Sequence, residues 1–179
     1  MDRPVQLIAL SCVKCQTPVP AQPGEVAWVC AQCGQGLLLD VNQGLAPLEV
    51  FYAAGIAPNS PGKPFWVADG HVAFASRQTY SGNEDRDAHQ FWGQPRRFFV
   101  PAFTAPLETQ LSLGSQLLNK PSALQAGPAS RFEPVTLALE DVKPLAEFIV
   151  MALEAGRKDK LREIQFTLEL SNPVLWILP

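Results

Sequence analysis

The sequence predicts an α+β fold, in which a small cysteine-bearing β module precedes a mainly antiparallel β domain with one C-terminal helix. Three observations support this prediction. All 4 cysteines lie between residues 12 and 33. After Leu48, short apolar runs typical of strands alternate with turn residues. Only the segment after residue 140 repeats its apolar residues at the spacing of three and four positions that is typical of a helix.

The length of the chain fits a small module joined to one medium domain. It has 179 residues, enough for one full core beside a smaller unit. The stretch VNQGLAPLEV, with Gly44 and Pro47, is typical of a short linker. We therefore predict a boundary near residue 42, with domains over residues 1–42 and 43–179. Because this linker is short and apolar, we expect the two parts to dock.

The cysteines form two C-x-x-C pairs, Cys12 with Cys15 and Cys30 with Cys33. Each C-x-x-C turn directs two sulfur atoms at one point, and two such turns supply the thiolates of a tetrahedral zinc site. The segments LIALSC, VAWVC and GLLLD predict strands around these turns, and TPVPAQPGE predicts the loop of a hairpin. Gly34 directly follows Cys33, where a residue free to adopt a positive φ helps the chain to turn back.

This arrangement resembles a zinc ribbon over residues 5–41, and CAQCG is similar to the second knuckle of that family. The resemblance implies one zinc ion, bound by Cys12, Cys15, Cys30 and Cys33. Four thiolates fill every position of a tetrahedral site, so we expect a structural Zn2+ ion rather than a catalytic one. A redox dithiol and a rubredoxin-like iron site could use the same cysteines, and both stay open as alternatives.

The segments after Leu48 predict an antiparallel sheet. The strand-like runs are, in order, LEVFYAAG, PFWVADG, HVAFASRQTY, RRFFVPAFTA and TQLSLGSQLL. Asp69 and Gly70 predict a hairpin turn between the second and third runs, because an Asp-Gly pair accepts the positive φ that such turns require. The polar stretch SGNEDRDAHQFWGQP predicts a mobile loop.

The last part of the chain predicts one helix between strands. Residues 135–139 are typical of a strand, and a helix is expected over residues 141–155. Asp141 can cap its start, Pro144 is tolerated in a first turn, and Gly156 can end it. QFTLEL and VLWILP then predict two final strands.

Composition and charge argue against several functional classes. The net charge is −3, so the whole chain has no positive field that would attract nucleic acid. The cysteines are confined to one short module, which argues against a disulfide framework and favours a reducing cytoplasm. No run approaches the ~20 apolar residues of a membrane helix, so we expect no transmembrane segment.

Residue patterns that would indicate an enzyme are lacking in the sequence. The 2 histidines, His71 and His89, are expected to be an exposed strand or turn residue and part of a solvated polar loop. No serine stands in a nucleophile-elbow motif, and no glycine-rich phosphate loop occurs. We therefore expect a protein that is not an enzyme.

Low charge and clustered aromatic residues favour protein contacts. Charged residues make up 17% of the chain, against about 25% in typical soluble domains. This suggests either that a partner covers part of the surface or that the chain forms a compact, turn-rich β domain that uses few charges. We predict an accessory or adaptor protein that binds another protein or associates with itself. The candidate contact residues are Trp92, Arg96, Arg97 and Trp176.

Two other functions stay open. A nucleic-acid-binding or transcription-related zinc ribbon is suggested by the habits of that family and by Arg96 and Arg97, which stand beside aromatic residues. An enzyme whose site lies in the unassigned domain would require a deep pocket with convergent polar groups.

Overall fold

A computed structural model of the chain describes residues 10–40, 44–82 and 84–179. Most of the strand predicted at LIALSC lies outside the described residues. The described residues contain eight strands and three helices. In chain order these are β1 (Ala27–Val29), β2 (Gly36–Asp40), β3 (Gly44–Leu48), β4 (Val50–Tyr52), β5 (Lys63–Thr79), α1 (Asp85–Trp92), β6 (Arg96–Pro101), α2 (Leu107–Asn119), α3 (Leu139–Ala155), β7 (Leu161–Leu170) and β8 (Val174–Leu178). The predicted α+β class is confirmed.

A small antiparallel sheet in the order β1-β2-β3 adjoins the cysteine turns, with β1 before the second turn and β2 after it. β1 and β2 are the predicted strands VAWVC and GLLLD. The stretch predicted as a linker instead contributes β3, which pairs with β2 from Asp40 opposite Gly44 to Gly36 opposite Leu48. The small sheet therefore extends past residue 42, and the division of the chain into two domains stays a prediction.

The small sheet is bonded to the segment that precedes α3. The N–H of Val26 donates to the carbonyl of Val135 over 2.8 Å, and Ala27 forms an isolated bridge with the same residue. Ala27 and Val135 are both buried in the main hydrophobic core. Strand β1 therefore belongs to the cysteine module and also contributes to the larger core.

The larger sheet is built around β5, which has 17 residues. β6 pairs with one edge of its first half, while β8 and then β7 pair with the opposite edge, all antiparallel. β4 is parallel to β8. A mainly antiparallel sheet was expected, and the structure shows one.

The predicted hairpin at Asp69 and Gly70 is wrong, because both residues lie inside β5. Gly70 is paired on both sides, with Arg96 of β6 and Leu170 of β7. A Cβ atom at this glycine would come within 2.7 Å of side-chain atoms of Leu170 and Phe98. The glycine thus serves close packing rather than a turn, and pairing at both edges outweighs the local preference of Asp-Gly for a turn.

Two of the three helices were not predicted. The supposed polar loop contains α1, and the run TQLSLGSQLL lies within α2 rather than forming a strand. Gly114 of α2 is buried, and a Cβ atom there would collide with the side chain of Ile149 on α3. The helix packing therefore decides the conformation of a segment whose leucines suggested a strand.

The third helix matches its prediction at the C-terminal end. α3 ends at Ala155 and is followed by Gly156, but it begins at Leu139, two residues before the predicted start. The strand predicted over residues 135–139 is reduced to the single bridge at Val135. Within the described part of the chain, no helix is both long enough and apolar enough to cross a membrane.

The two faces of the larger sheet pack on different elements. Trp66 and Phe98 belong to the core on one face, together with Ile149 of α3. Phe65 and Phe99 belong to the core on the other face, and partly buried leucines of α2 and Leu124 cover that core. This second face is less completely covered, and two clefts open on it.

A charged cluster is buried on the α3 side. Arg77 of β5 donates through Nε to Glu154 of α3 over 2.8 Å, and through its two terminal nitrogens to Asp159 over 2.6 and 3.0 Å. The indole N–H of Trp92 on α1 and Nε of Arg157 each donate to Glu154 over 2.7 Å. The hydrogen bond from Arg77 lowers the pKa of the Asp159 carboxyl. The cluster therefore joins β5, α1, α3 and the turn after α3.

Replacing Arg77 with methionine should destabilise the fold strongly. The side chains of Arg77, Glu154 and Asp159 are at most 1% exposed, so the change leaves the buried carboxylate of Asp159 without its cation and leaves Glu154 with Arg157 alone. We expect a loss of about 3–5 kcal/mol in the free energy of unfolding, measured by urea denaturation.

The matched control is Arg97→Met, which removes an ion pair with Asp69 whose side chains are 48% and 58% exposed. This change should cost no more than about 1 kcal/mol. Similar losses in the two variants would contradict a special role for the buried cluster.

Candidate metal centre

The first cysteine turn is closed by two backbone hydrogen bonds. The N–H of Gln16 donates to the carbonyl of Cys12, and the N–H of Cys12 donates to the carbonyl of Thr17, both over 2.9 Å. The turn contains Cys15. Gln16 has a φ of 62°, which is unusual for a residue with a side chain.

The second cysteine turn repeats this pattern. The N–H of Gly34 donates to the carbonyl of Cys30 over 2.8 Å, and the N–H of Cys30 donates to the carbonyl of Gln35 over 2.9 Å. Gly34 has a φ of 72° and occupies the same place in its turn as Gln16 does in the first. The prediction that Gly34 supplies a positive φ is confirmed.

The two turns bring the four sulfur atoms together. The Sγ atoms of Cys12 and Cys33 are 3.6 Å apart, and those of Cys15 and Cys30 are 3.5 Å apart. All four Sγ atoms lie within 4.8 Å of one another. A tetrahedral site with Zn–S bonds of about 2.3 Å requires sulfur atoms about 3.8 Å apart. The four cysteines are therefore arranged to hold a metal ion.

The cluster has a small core of its own. Cys12, Cys30 and Leu37 are buried together, and the half-buried Trp28 packs against them. This core is separate from the two cores of the larger sheet. So few apolar side chains stabilise a module only weakly, and a bound metal would supply much of its folding free energy.

Nearby donors favour thiolates at two of the cysteines. The hydroxyl of Thr17, 3.2 Å from Sγ of Cys15, lowers the pKa of Cys15 to about 6, together with the Thr17 N–H. Burial raises the pKa of Cys12, but hydrogen bonds from the N–H groups of Cys15 and Lys14 outweigh it and lower the pKa. These are the donors that stabilise a metal-bound thiolate.

Cys33 behaves in the opposite way. The N–H of Gln35 lowers its pKa, but burial and the three other cysteines outweigh this effect and raise the pKa to about 12. The protein groups alone thus favour the thiolate form at Cys12 and Cys15 and the protonated thiol at Cys33. A divalent cation at the centre would remove this conflict, because it attracts all four sulfur atoms.

The donor set limits what a metal could do here. Four cysteine thiolates are soft ligands that suit zinc or iron, and a four-coordinate site of this kind leaves no position for water or substrate. The geometry therefore fits a metal that holds the two turns together, and it does not fit a metal that activates a bound water.

Two of the four predicted contact residues share one cleft. Arg97 and Trp176 line a cleft of about 450 Å³ on the second face of the larger sheet, together with Leu124. Arg97 donates through Nε to Asp69 over 2.9 Å. Trp176 stacks on Phe51, with ring centroids 5.1 Å apart. The cleft combines a cation, a carboxylate and the indole of Trp176, and Phe51 stacks on that indole.

The other two predicted contact residues are engaged within the chain. Trp92 is only 2% exposed and is hydrogen-bonded to Glu154, so its ring packs within the chain rather than at the surface. Arg96 is half-buried, lies 3.8 Å from the ring centroid of Phe91 and donates to the carbonyl of that residue. Trp92 thus bonds α1 to α3, and Arg96 of β6 holds Phe91 of α1 against the sheet.

The two histidines are exposed and lie apart from the cysteine cluster. His71 lies on β5 opposite Glu169 rather than in a turn. His89 lies on α1, with Nδ1 3.5 Å from a carboxylate oxygen of Asp85. Sequence reasoning placed both residues at the surface, and the structure agrees.

The chain has no detectable similarity to known proteins in three comparisons. No protein-family model, no curated protein and no solved structure matches this chain. The function proposed below is therefore argued from the cluster and the clefts alone.

Replacing Thr17 with valine should weaken metal binding, because the change removes the hydroxyl beside Cys15 while keeping the shape of the side chain. We expect the affinity for Co2+, followed by its visible absorption, to fall about tenfold. Thr167→Val, at an exposed site on β7, is the matched control and should leave the affinity unchanged. Equal affinities in the two variants would contradict a role for the Thr17 hydroxyl.

Proposed function

We propose that the chain is a non-enzymatic zinc-binding protein that acts as an accessory or adaptor through contacts with another protein. The observation that carries the zinc assignment is the cluster of four cysteine sulfur atoms within 4.8 Å of one another. The four thiolates would fill every coordination position of a tetrahedral metal, which supports a structural role for the metal. We therefore assign the contacts with a partner to the rest of the surface.

Zinc is favoured over the alternatives by the donor set and its setting. Two similar turns and a three-stranded sheet, whose β1 and β2 flank the second turn, support the resemblance to a zinc ribbon. A redox dithiol is less well supported, since the Sγ–Sγ contacts of 3.6 and 3.5 Å each join cysteines of different turns rather than the two cysteines of one C-x-x-C pair. Thiolate sites of this kind persist in a reducing compartment, so we place the protein in the cytoplasm.

The cleft that contains Arg97 and Trp176 is the proposed partner surface. Phe51, which stacks on Trp176, is 39% exposed, a large value for an apolar ring of that size. Tryptophan and arginine are also the residues that most often dominate the binding energy of protein interfaces. An aromatic pair beside a cation and a carboxylate suits a protein partner that offers both apolar and charged groups.

Nucleic-acid binding is the less well-supported alternative. Arg97 is paired with Asp69, and Arg96 is stacked on Phe91, so neither arginine offers an uncompensated or freely extended charge. The net charge of −3 would also repel a phosphate backbone.

Metal analysis tests the zinc assignment. We expect about one zinc per purified chain, because four thiolates complete one tetrahedral site. Cys12→Ser and Cys30→Ser should lose the metal, while Ser11→Ala, which is adjacent to Cys12, should retain it. Iron in place of zinc would overturn the assignment, and so would unchanged zinc in the cysteine variants.

Charge reversal tests the partner surface. Arg97→Glu should weaken the binding of a co-purifying protein, or self-association measured by sedimentation, by about tenfold, because it places two acidic groups side by side in the cleft. Arg162→Glu makes the same change of charge at an exposed site on β7 and should have little effect.

Phe51→Ala removes the exposed ring of the stacked pair and should weaken the same complex. A complex that resists both Arg97→Glu and Phe51→Ala, or one that Arg162→Glu weakens equally, would contradict the assignment of this surface.

A further inference from the structure

A second cleft opens on the same face of the larger sheet, between α2, the start of β5 and the end of β8. Its volume is about 660 Å³. Sites for small molecules commonly measure about 300–1,000 Å³, so the cleft is large enough for one such ligand. It shares no lining residue with the cleft of Arg97, from which it is separated by the segment that contains Ser122 and Leu124.

The floor of this cleft is apolar. Phe65 of β5 and Leu178 of β8 are each 4% exposed and belong to the core of this face. Leu113 and Leu117 of α2 are half-buried, pack against the same core and complete the floor. The floor is therefore lined by apolar side chains, of which Leu113 and Leu117 are the more exposed.

The charged side chains at this cleft are all positive. Lys63 and Lys120 both line it, and no aspartate or glutamate among the described residues does, although the last residue, Pro179, also lines it. Neither lysine takes part in an ion pair with another described residue. Nζ of Lys63 lies 5.4 Å from the ring centroid of Phe103. Two uncompensated cations beside an apolar floor are notable in a chain whose net charge is −3.

We propose that this cleft binds a small amphipathic anion, which consists of an aliphatic chain with one anionic head group. The aliphatic chain would lie on the leucines and Phe65, where it removes apolar surface from water. The head group would lie near Lys63 and Lys120, with the side-chain amides of Gln116 and Asn119 as further donors. The proposal depends only on this cleft and is independent of the zinc site and of the partner surface.

The two lysines should contribute unequally. Lys120 follows the last residue of α2, where its charge is already favoured by the partial negative charge of the helix C-terminus. Lys63 lies at the start of β5 and has no such compensation. We therefore expect Lys63 to contribute more to the binding of an anion than Lys120.

Calorimetric titration with four probes tests the ligand class. Octanoate and octyl phosphate carry both a chain and an anionic head, 1-octanol carries only the chain, and acetate carries only the charge. We expect at least one of the two amphipathic anions to bind about tenfold more tightly than 1-octanol and acetate, and the tighter of the two identifies the head group. If neither anion binds at millimolar concentration, or if 1-octanol binds equally well, the proposal is overturned.

Variants then test the location. Lys63→Gln should weaken the binding of the better anion about fivefold, and Lys120→Gln should weaken it less. Gln116→Glu adds a negative charge inside the cleft at an exposed position and should also weaken binding. Gln90→Glu on α1 and Lys143→Gln on α3 make the same changes at exposed sites elsewhere.

The controls decide between this cleft and another site. Equal loss of binding in the control variants and in Lys63→Gln and Gln116→Glu would show a general effect of net charge and would overturn the proposed location. Thermal unfolding of each variant checks that the fold is kept, and none of these exposed side chains belongs to a core of the larger sheet.

Discussion

The larger part of the fold depends on the buried contact of Arg77 with Glu154 and Asp159. Removing three charged groups from water is costly, and the cost is offset only while every hydrogen bond of the cluster is made. The cluster therefore admits one arrangement of β5, α3 and the turn after α3. Trp92 completes it by donating to Glu154, which fixes α1 as well.

This cluster also decides which residues remain available at the surface. Because Trp92 is drawn into the core and Arg96 stacks on Phe91, the aromatic and basic residues of this region split between two faces of the sheet. Side chains alternate between the faces along a strand, so Arg97 shares a face with Phe99 rather than with Phe98. Arg97 is thereby available to the cleft on the second face, while α3 packs on the first.

The parts of the structure that could be predicted from the sequence are those encoded by neighbouring residues. The cysteine cluster depends on two short spacings, and α3 depends on a helical repeat within one segment. The failures have tertiary causes, since α2 packs through Gly114 on α3 and Gly70 lies between two strands that are distant in sequence. Nothing local marks Arg77 as the partner of Glu154, which lies 77 residues further along the chain.

The two parts of the chain are stabilised by different means, and this bears on what the metal contributes. The cysteine module has a core of a few side chains and would require its metal, whereas the larger sheet has two cores of its own and the charge cluster. The two parts are connected through the bond of Val26 to Val135 and through Ala27, Leu38 and Leu48, which lie in or pack against the main core. The metal would therefore act on the larger part by holding the small sheet against that core. A closed set of four thiolates leaves no coordination position for a substrate, so the binding functions that we propose are assigned to the clefts of the second face and not to the metal.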